Sequence, residues 1–369
     1  MTPKLLVIEP VEPLALSRTP ISGPEHLGAR ATVFHIPQPT TVLGAVGAAL
    51  GVRVSEGLDV GRLEDVKAVA TKVSERLSCG KPMLIGPLLA SRDLTELYVP
   101  VGRDLYASVR LIERVLRLEH HPPHLDLGPC YESPGACVEP SIHSRVGIAL
   151  ERRGGVGEKV VRLGHMYRYS VVVYRDASTE APAPHSTVYA LNCGGDLDSV
   201  VRVGGEGRVA RLYTEARVPQ ALDNLANPAA RLEPGVYLSV GYIPIVPRSQ
   251  RVLGLRLEEF HGLEFLEEES DVMGIPQVGG APPKVRIERL GLGFSESQGT
   301  RRPQLLALPP ATLLRVGKPR ESTSSVDTIM TLWKIGYSSM YKLPAAYAAD
   351  YRREDRKAGV SRGEAVTWR

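Results

Sequence analysis

No stretch of eighteen consecutive apolar residues occurs among the 369 residues, and a helix needs about that many to cross a bilayer. A helical membrane span is therefore excluded. Cysteine is scarce, at four (Cys79, Cys130, Cys137, Cys193), with no C-x-x-C pair, which argues against a disulfide scaffold or a ribbon-type zinc site. Buried free thiols are expected instead, although the Cys130–Cys137 spacing permits a bridge in a chain from a hyperthermophile. Aromatic residues make up only 5%, so any base-stacking surface must be built from few rings. The glycines follow no three-residue period, which excludes collagen. Met1 to Ile8 contain no long apolar segment with a small-residue cleavage site, and the expected location is cytoplasmic. A G-x-S-x-G elbow is missing, as is the Gly-Lys-Ser/Thr of a P-loop.

What is present describes a folded protein. Hydrophobic residues at 43% and charged residues at 23% are ordinary globular values, and the length suggests two or three domains. Arginine outnumbers lysine 35 to 10, and arginine is the side chain that grips phosphate bidentately and stacks on bases. The net charge of +4 conceals a division. Seven acidic residues and no Lys or Arg lie between Glu258 and Asp271, so the rest of the chain carries +11. Such a body suits a polyanion partner, and equally a solvated surface.

The pattern along the chain indicates an α+β fold with antiparallel sheets. Leu5 to Ile8 read as a short buried strand. Thr40, following Pro39, starts a helix to Leu50 whose Gly44, Gly47 and Ala48 form a flat stripe for close packing on a sheet. A second amphipathic helix is expected over Leu63–Leu77. The proline- and glycine-punctuated stretch from Cys79 to Pro140 reads as an insertion with one helical run, Leu105–Leu118. Period-two alternation then predicts a hairpin of Gly147–Glu151 and Lys159–Leu163, and strands at Tyr169–Tyr174, Thr187–Leu191, Ser199–Val203 and Arg208–Thr214. A short helix at Gln220–Asn227 precedes strands at Val236–Val246 and Ala311–Val316. Thr328–Tyr351 reads as partly helical.

Several constellations invite a chemical reading. Gly205–Ala210 fits the G-x-G-x-x-A dinucleotide pattern, but Arg208 to Tyr213 alternate like a strand where that motif needs a helix. A tight turn is expected instead, in which Gly204, Gly205 and Gly207 present bare N–H groups to a phosphate beside Arg208. His120, His121, His124, Asp126 and Cys130 are interrupted by prolines and lack metal-ligand spacing, so no metal and no cofactor is expected. His26 and His35 are the candidates for a metal-independent ribonuclease; lone histidines are more often structural. Tyr167 and Tyr169 alternate with Arg168, near His165 and Arg162, as on a sheet that stacks single-stranded RNA, or as in any half-buried strand. Arg145 is expected close to this surface.

Taken in order, the motifs resemble the RAMP superfamily of CRISPR proteins, and most narrowly the Cas5-like subunit of the type III-B (Cmr) effector complex. The resemblance is carried by Glu9-Pro10 with Leu16 to Pro20, by Pro37 to Leu50, and by Gly86-Pro87-Leu88-Leu89 with Glu96 to Val101 and Asp104-Leu105. It continues in Arg145 to Arg152, Gly164 to Tyr167 and Val203 to Arg208. It covers about residues 5 to 250. The family's glycine-rich loop of the second half is expected at Gly291–Arg302, where its usual Gly-Trp element is missing, and Gly47 stands where the family commonly has arginine.

The resemblance implies two ferredoxin-like (RRM-type) domains, 1–217 and 218–369, with an insertion at about 52–140 in the first. It implies a protein that binds RNA without cutting it. Such a subunit holds the 5′ tag of the guide RNA (crRNA) and bridges the large polymerase/cyclase-like subunit to the backbone RAMP subunits. Arg18, Arg145, Tyr167, Tyr169, Gly204, Gly205, Gly207, Arg208, Arg301 and Arg302 are the expected RNA contacts. The alternatives are the equivalent type III-A (Csm) subunit and a crRNA-processing endoribonuclease of the same superfamily.

Overall fold

A computed structural model describes residues 3–17, 33–102, 104–120, 122–152, 159–183, 185–216, 219–248, 259–266, 270–279, 281–318 and 324–344, with the side chains of 148–152 and 159–168 left undescribed. Arg18, His26, the hairpin tip 153–158 and Glu267 to Glu269 of the acidic run lie outside these residues, as do the Tyr167 and His165 side chains.

Strand β1 (Lys4–Pro10) leads to helices α1 (Pro39–Ala49) and α2 (Glu64–Leu77). Then come β2 (Cys79–Ser91), β3 (Leu97–Pro100), β4 (Tyr106–Ser108), the one-turn α3 (Ile112–Val115), β5 (Leu116–Arg117), β6 (His124–Leu125) and α4 (Gly128–Glu132). A long hairpin of β7 (Cys137–Arg152) and β8 (Lys159–Asp176) precedes β9 (His185–Cys193), β10 (Asp198–Arg202) and β11 (Val209–Glu215). Nine of these strands form one antiparallel sheet in the order β10-β11-β1-β9-β2-β3-β4-β7-β8.

The apolar run of β1 has a simple cause. Leu6 and Ile8 point into a core with α1 and α2, while Leu5 and Val7 point into a second core on the opposite face. All four are fully buried, so alternation has no polar side to show. The second core is shared with the later part of the chain, through Val236, Leu238 and Leu313.

That later part contains β12 (Leu225–Ala226), β13 (Gly235–Ser239), β14 (Ile243–Pro247), β15 (Phe260–His261), β16 (Asp271–Gly274), β17 (Gln277–Val278) and β18 (Glu288–Gly291). It continues with β19 (Phe294–Ser295), β20 (Thr300–Arg301), β21 (Gln304–Leu308), β22 (Leu313–Val316), α5 (Asp327–Lys334) and β23 (Met340–Lys342). They make a five-stranded sheet, β12-β23-β13-β22-β16, and a four-stranded one, β15-β14-β21-β18. Trp333 of α5, Tyr237, Phe260 and Phe265 fill a third core.

Five expectations are corrected. The segment 52–140 is not an excursion from the sheet: β2 lies between β9 and β3 and is paired with β9 along its length, because Met83 to Ala90 are apolar enough to be buried despite the punctuating prolines. The helical run at Leu105–Leu118 reduces to a 3-10 turn and the single turn α3, flanked by β4 and β5. The stripe on α1 does not face the sheet. Gly44 and Ala48 are exposed, and only Gly47 is approached closely, with a Cβ there 3.0 Å from Val69 of α2.

The strand expected over Val236–Val246 is two, β13 and β14, in different sheets. The break lies at Val240 and Gly241, whose N–H groups both turn to the Ser339 carbonyl. Finally, no thiol is free. Cys79 and Cys193 are cross-strand partners of β2 and β9 and are joined, as are Cys130 and Cys137. Sequence spacing cannot foresee the first pairing, since 114 residues separate its members.

Candidate nucleic-acid interface

Two stretches of chain that the sequence keeps apart meet over a third. Leu14 bridges to Val172 of β8, with the Val172 N–H donating to its carbonyl at 3.1 Å, and Ala15 bridges to Gly205, whose N–H donates to the Ala15 carbonyl at 2.8 Å. The segment 12–16 thereby stitches the edge strand β8 to the glycine turn before β11. Beside this stitch lies a depression of about 260 Å³ lined by Glu12, Pro13, Arg145, Tyr169, Val171 and Arg208. Arg145 and Tyr169 are directly opposite each other across β7 and β8.

Arg208 is the hub. Its Nη1 is hydrogen-bonded and ion-paired with the Glu12 carboxylate, its Nη2 donates to the Tyr169 hydroxyl, and its guanidinium carbon lies 5.4 Å from the centre of the Tyr169 ring. Burial opposes the charge on Arg208, but Glu12 and Tyr169 more than offset that and hold its pKa above the usual arginine value. The guanidinium is thus permanently charged and aimed, with its Nε buried and unpartnered among the described residues. Arginine held by a carboxylate on one side can still present its remaining N–H donors to a phosphate on the other.

The turn itself differs from expectation. Gly204, Glu206 and Gly207 adopt positive φ (79°, 60° and 65°), as a tight connection requires. However, the Gly205 N–H is consumed by Ala15, and the Arg208 N–H points back to the Gly205 carbonyl. The row of bare N–H groups expected to meet a phosphate is therefore interrupted at Gly205 and Arg208. The glycine that resists a side chain is Gly204, where a Cβ would lie 2.5 Å from the Ala15 carbonyl oxygen. At Gly205 that distance is an ordinary 3.6 Å. Strand β11 follows directly, so the dinucleotide reading fails for want of a helix.

The other sequence candidates are dispersed. Arg301 is exposed on β20, away from this depression's lining. Arg302 does not line this depression; its guanidinium is bound to Asp65 of α2 and to the Phe294 carbonyl. Tyr167 lies in β8 opposite Gly147. His35 sits with its Nε2 3.5 Å from Asp104, 15% exposed, and edge-on to Tyr106. Of the five residues weighed as metal ligands, Asp126 is taken by Arg117 and Cys130 by its bridge to Cys137.

Glu12 is the site residue that sequence reasoning missed. No local pattern marks it, since its partner is 196 residues away.

Comparison with known proteins was made at three levels. Residues 23–133 match the family model described as CRISPR-associated protein (Cas_Cmr3). No curated protein matches the sequence. Among solved structures, a chain of the "Cryo-EM structure of the Type III-B Cmr-beta bound to cognate target RNA" is similar at TM-score 0.54 and 16% identity, covering 91% of this chain and 96% of that one. A chain of the same complex bound to cognate target RNA and AMPPnP, state 1, is similar at the same TM-score and identity, covering 91% and 95%. The resemblance to a Cmr subunit read from the sequence is therefore met by a family model over part of the chain and by the fold over nearly all of it.

Proposed function

We propose that this chain is a non-catalytic RNA-binding subunit of a type III-B CRISPR effector complex working in the cytoplasm. In this reading it holds the 5′ tag of the crRNA and bridges the large polymerase/cyclase-like subunit to the backbone RAMP subunits. The observation that carries it is the depression between Arg145, Tyr169 and Arg208. It combines two cations with an aromatic ring, the pairing that grips a single strand through phosphate and base. The strand order β11-β1-β9-β2, with α1 and α2 as the crossover between β1 and β2, supports a ferredoxin-like origin for this half. A β10 hairpin stands where its second helix would be.

An RRM ordinarily stacks bases on the open face of its sheet. Here β1 is buried on both faces, so the face is closed there and the margin near β8 and β11 is the surface left for RNA. Catalysis is not part of the proposal, since lone histidines such as His26 and His35 are more often structural than catalytic.

The test is binding of a crRNA carrying its 5′ tag to the full chain. Arg145→Ala and Arg208→Ala, each checked for folding by circular dichroism, should weaken binding about tenfold and lower the salt slope by about 0.7 each. Wild-type affinity and slope in both folded variants would sink the proposal. Incubation with labelled repeat RNA without metal should leave the RNA intact. Cleavage that disappears in His26→Ala or His35→Ala would replace a binder with an endoribonuclease.

A further inference from the structure

A second depression, of about 450 Å³, opens where α1 ends against α2. It is lined by Gly51, Arg53, Lys72, Glu75 and Arg76 and shares no residue with the Arg208 site. Three cations face one carboxylate. Lys72 and Arg76 lie one turn apart on the same face of α2, and like charges at that spacing disfavour a helix. The chain keeps the pair and fixes it. Lys72 Nζ donates to the Arg53 carbonyl at 2.6 Å, and Arg76 Nη1 donates to the Leu50 carbonyl at the end of α1. Both heads are therefore held in place beside the mouth. The Arg53 side chain makes no hydrogen bond or ion pair among the described residues, and it stands exposed at the rim.

Fixed like charges without enough counter-charge in the chain call for an anion from outside it. Helix capping explains where the Arg76 head sits, because cations are favoured at a helix C-terminus, and Lys72 is held by a carbonyl of the loop beyond it. Capping does not explain Arg53, which caps nothing. An opening of this size, lined by guanidinium and ammonium groups and by no aromatic ring, suits a phosphate group and offers nothing to stack a base.

We infer that Arg53, Lys72 and Arg76 form a second phosphate subsite, which takes the backbone of single-stranded RNA without reading its bases. The identity of the strand rests on the function proposed above; the anion site itself does not. The subsite adds affinity that is independent of sequence and sensitive to salt.

The experiment uses the full chain. Arg53→Glu is the main variant, because that side chain supports no other contact, and Lys72→Gln with Arg76→Gln is the second, checked by thermal melting. With a uridine homopolymer as probe, Arg53→Glu should weaken binding at least fivefold and lower the salt slope by about 0.7. Lys72 should become protected from acetylation in the complex. Unchanged affinity and slope in Arg53→Glu, alongside weakened binding in Arg145→Ala, would overturn the inference and leave the proposed function standing. Should the wild type bind no RNA, tripolyphosphate separates the two ideas. Saturable binding lost in Arg53→Glu and kept in Arg145→Ala sustains the anion site and removes only the RNA. No tripolyphosphate binding overturns it.

Discussion

The guanidinium of Arg302 closes on the carboxylate of Asp65 across 237 residues of sequence, with Nε and Nη2 2.8 and 2.7 Å from the same Oδ2. Asp65 is 1% exposed. The contact fastens the end of β20 to α2, and Gln298 adds to it by accepting from the Leu58 N–H and donating to the Ser55 carbonyl. The loop that the family resemblance assigned to RNA is here a clasp between early and late parts of the chain. Arg302→Ala would strand a buried carboxylate and should cost about 3–5 kcal/mol, read as a lower urea midpoint. Asp65→Leu with Arg302→Met should recover most of that loss. A single variant as stable as wild type would refute the clasp.

Glu12 restrains the cation that RNA is proposed to meet. Glu12→Gln removes the competing carboxylate while keeping a hydrogen-bond acceptor for Arg208. Affinity for a tagged crRNA should rise about threefold at low salt, because a negative charge beside the groove is lost. Weaker binding in the folded variant would mean that Glu12 positions Arg208 more than it competes with RNA.

The two bridges divide unequally. Cys79–Cys193 closes a loop of over a hundred residues, and chain entropy alone gives such a closure about 4–5 kcal/mol. Cys130–Cys137 closes one of seven, for about 2–3 kcal/mol. Dithiothreitol should therefore lower the urea midpoint, and replacing the first pair by alanine should lower it more than replacing the second. Equal midpoints with and without reductant would show that the bridges contribute nothing.

Asp176 organises the turn after β8. Burial raises its pKa, but hydrogen bonds from the Ser178 hydroxyl and from the Gly135, Thr179 and Ser178 N–H groups outweigh that and bring it down to about 2. The folded value lies below the unfolded one of 3.8, so the carboxylate stabilises the fold above the unfolded value. That contribution, about 2 kcal/mol, should fade as pH falls from about 5 toward 2. Asp176→Asn should be less stable at pH 7 and show a shallower loss over that window in urea titrations. Parallel curves for the two proteins would contradict the assignment.

The residues with a repeating local pattern were legible in the sequence. Leu5 to Ile8, the Pro39-led helix, the amphipathic face of α2 and the alternation of β8 to β11 each express a period that the chain carries by itself. So did the association of Tyr169, Arg145 and Arg208, through motif order and strand alternation. The order of strands was not legible, because Pro82, Gly86 and Pro87 make a central strand such as β2 read like punctuated filler. Nor were the partners of single side chains. Arg208 and Arg302 have the same chemistry, both follow glycine-rich turns and both are half-buried, yet one lines a depression with Arg145 and the other clasps α2. The difference is what the fold brings opposite each: Glu12 and Tyr169 at the margin of the sheet for Arg208, and Asp65 in the first turn of α2 for Arg302. Sequence fixes a side chain's charge and reach, but its exposure and its counter-charge come from segments some two hundred residues away, and only tertiary packing sets them.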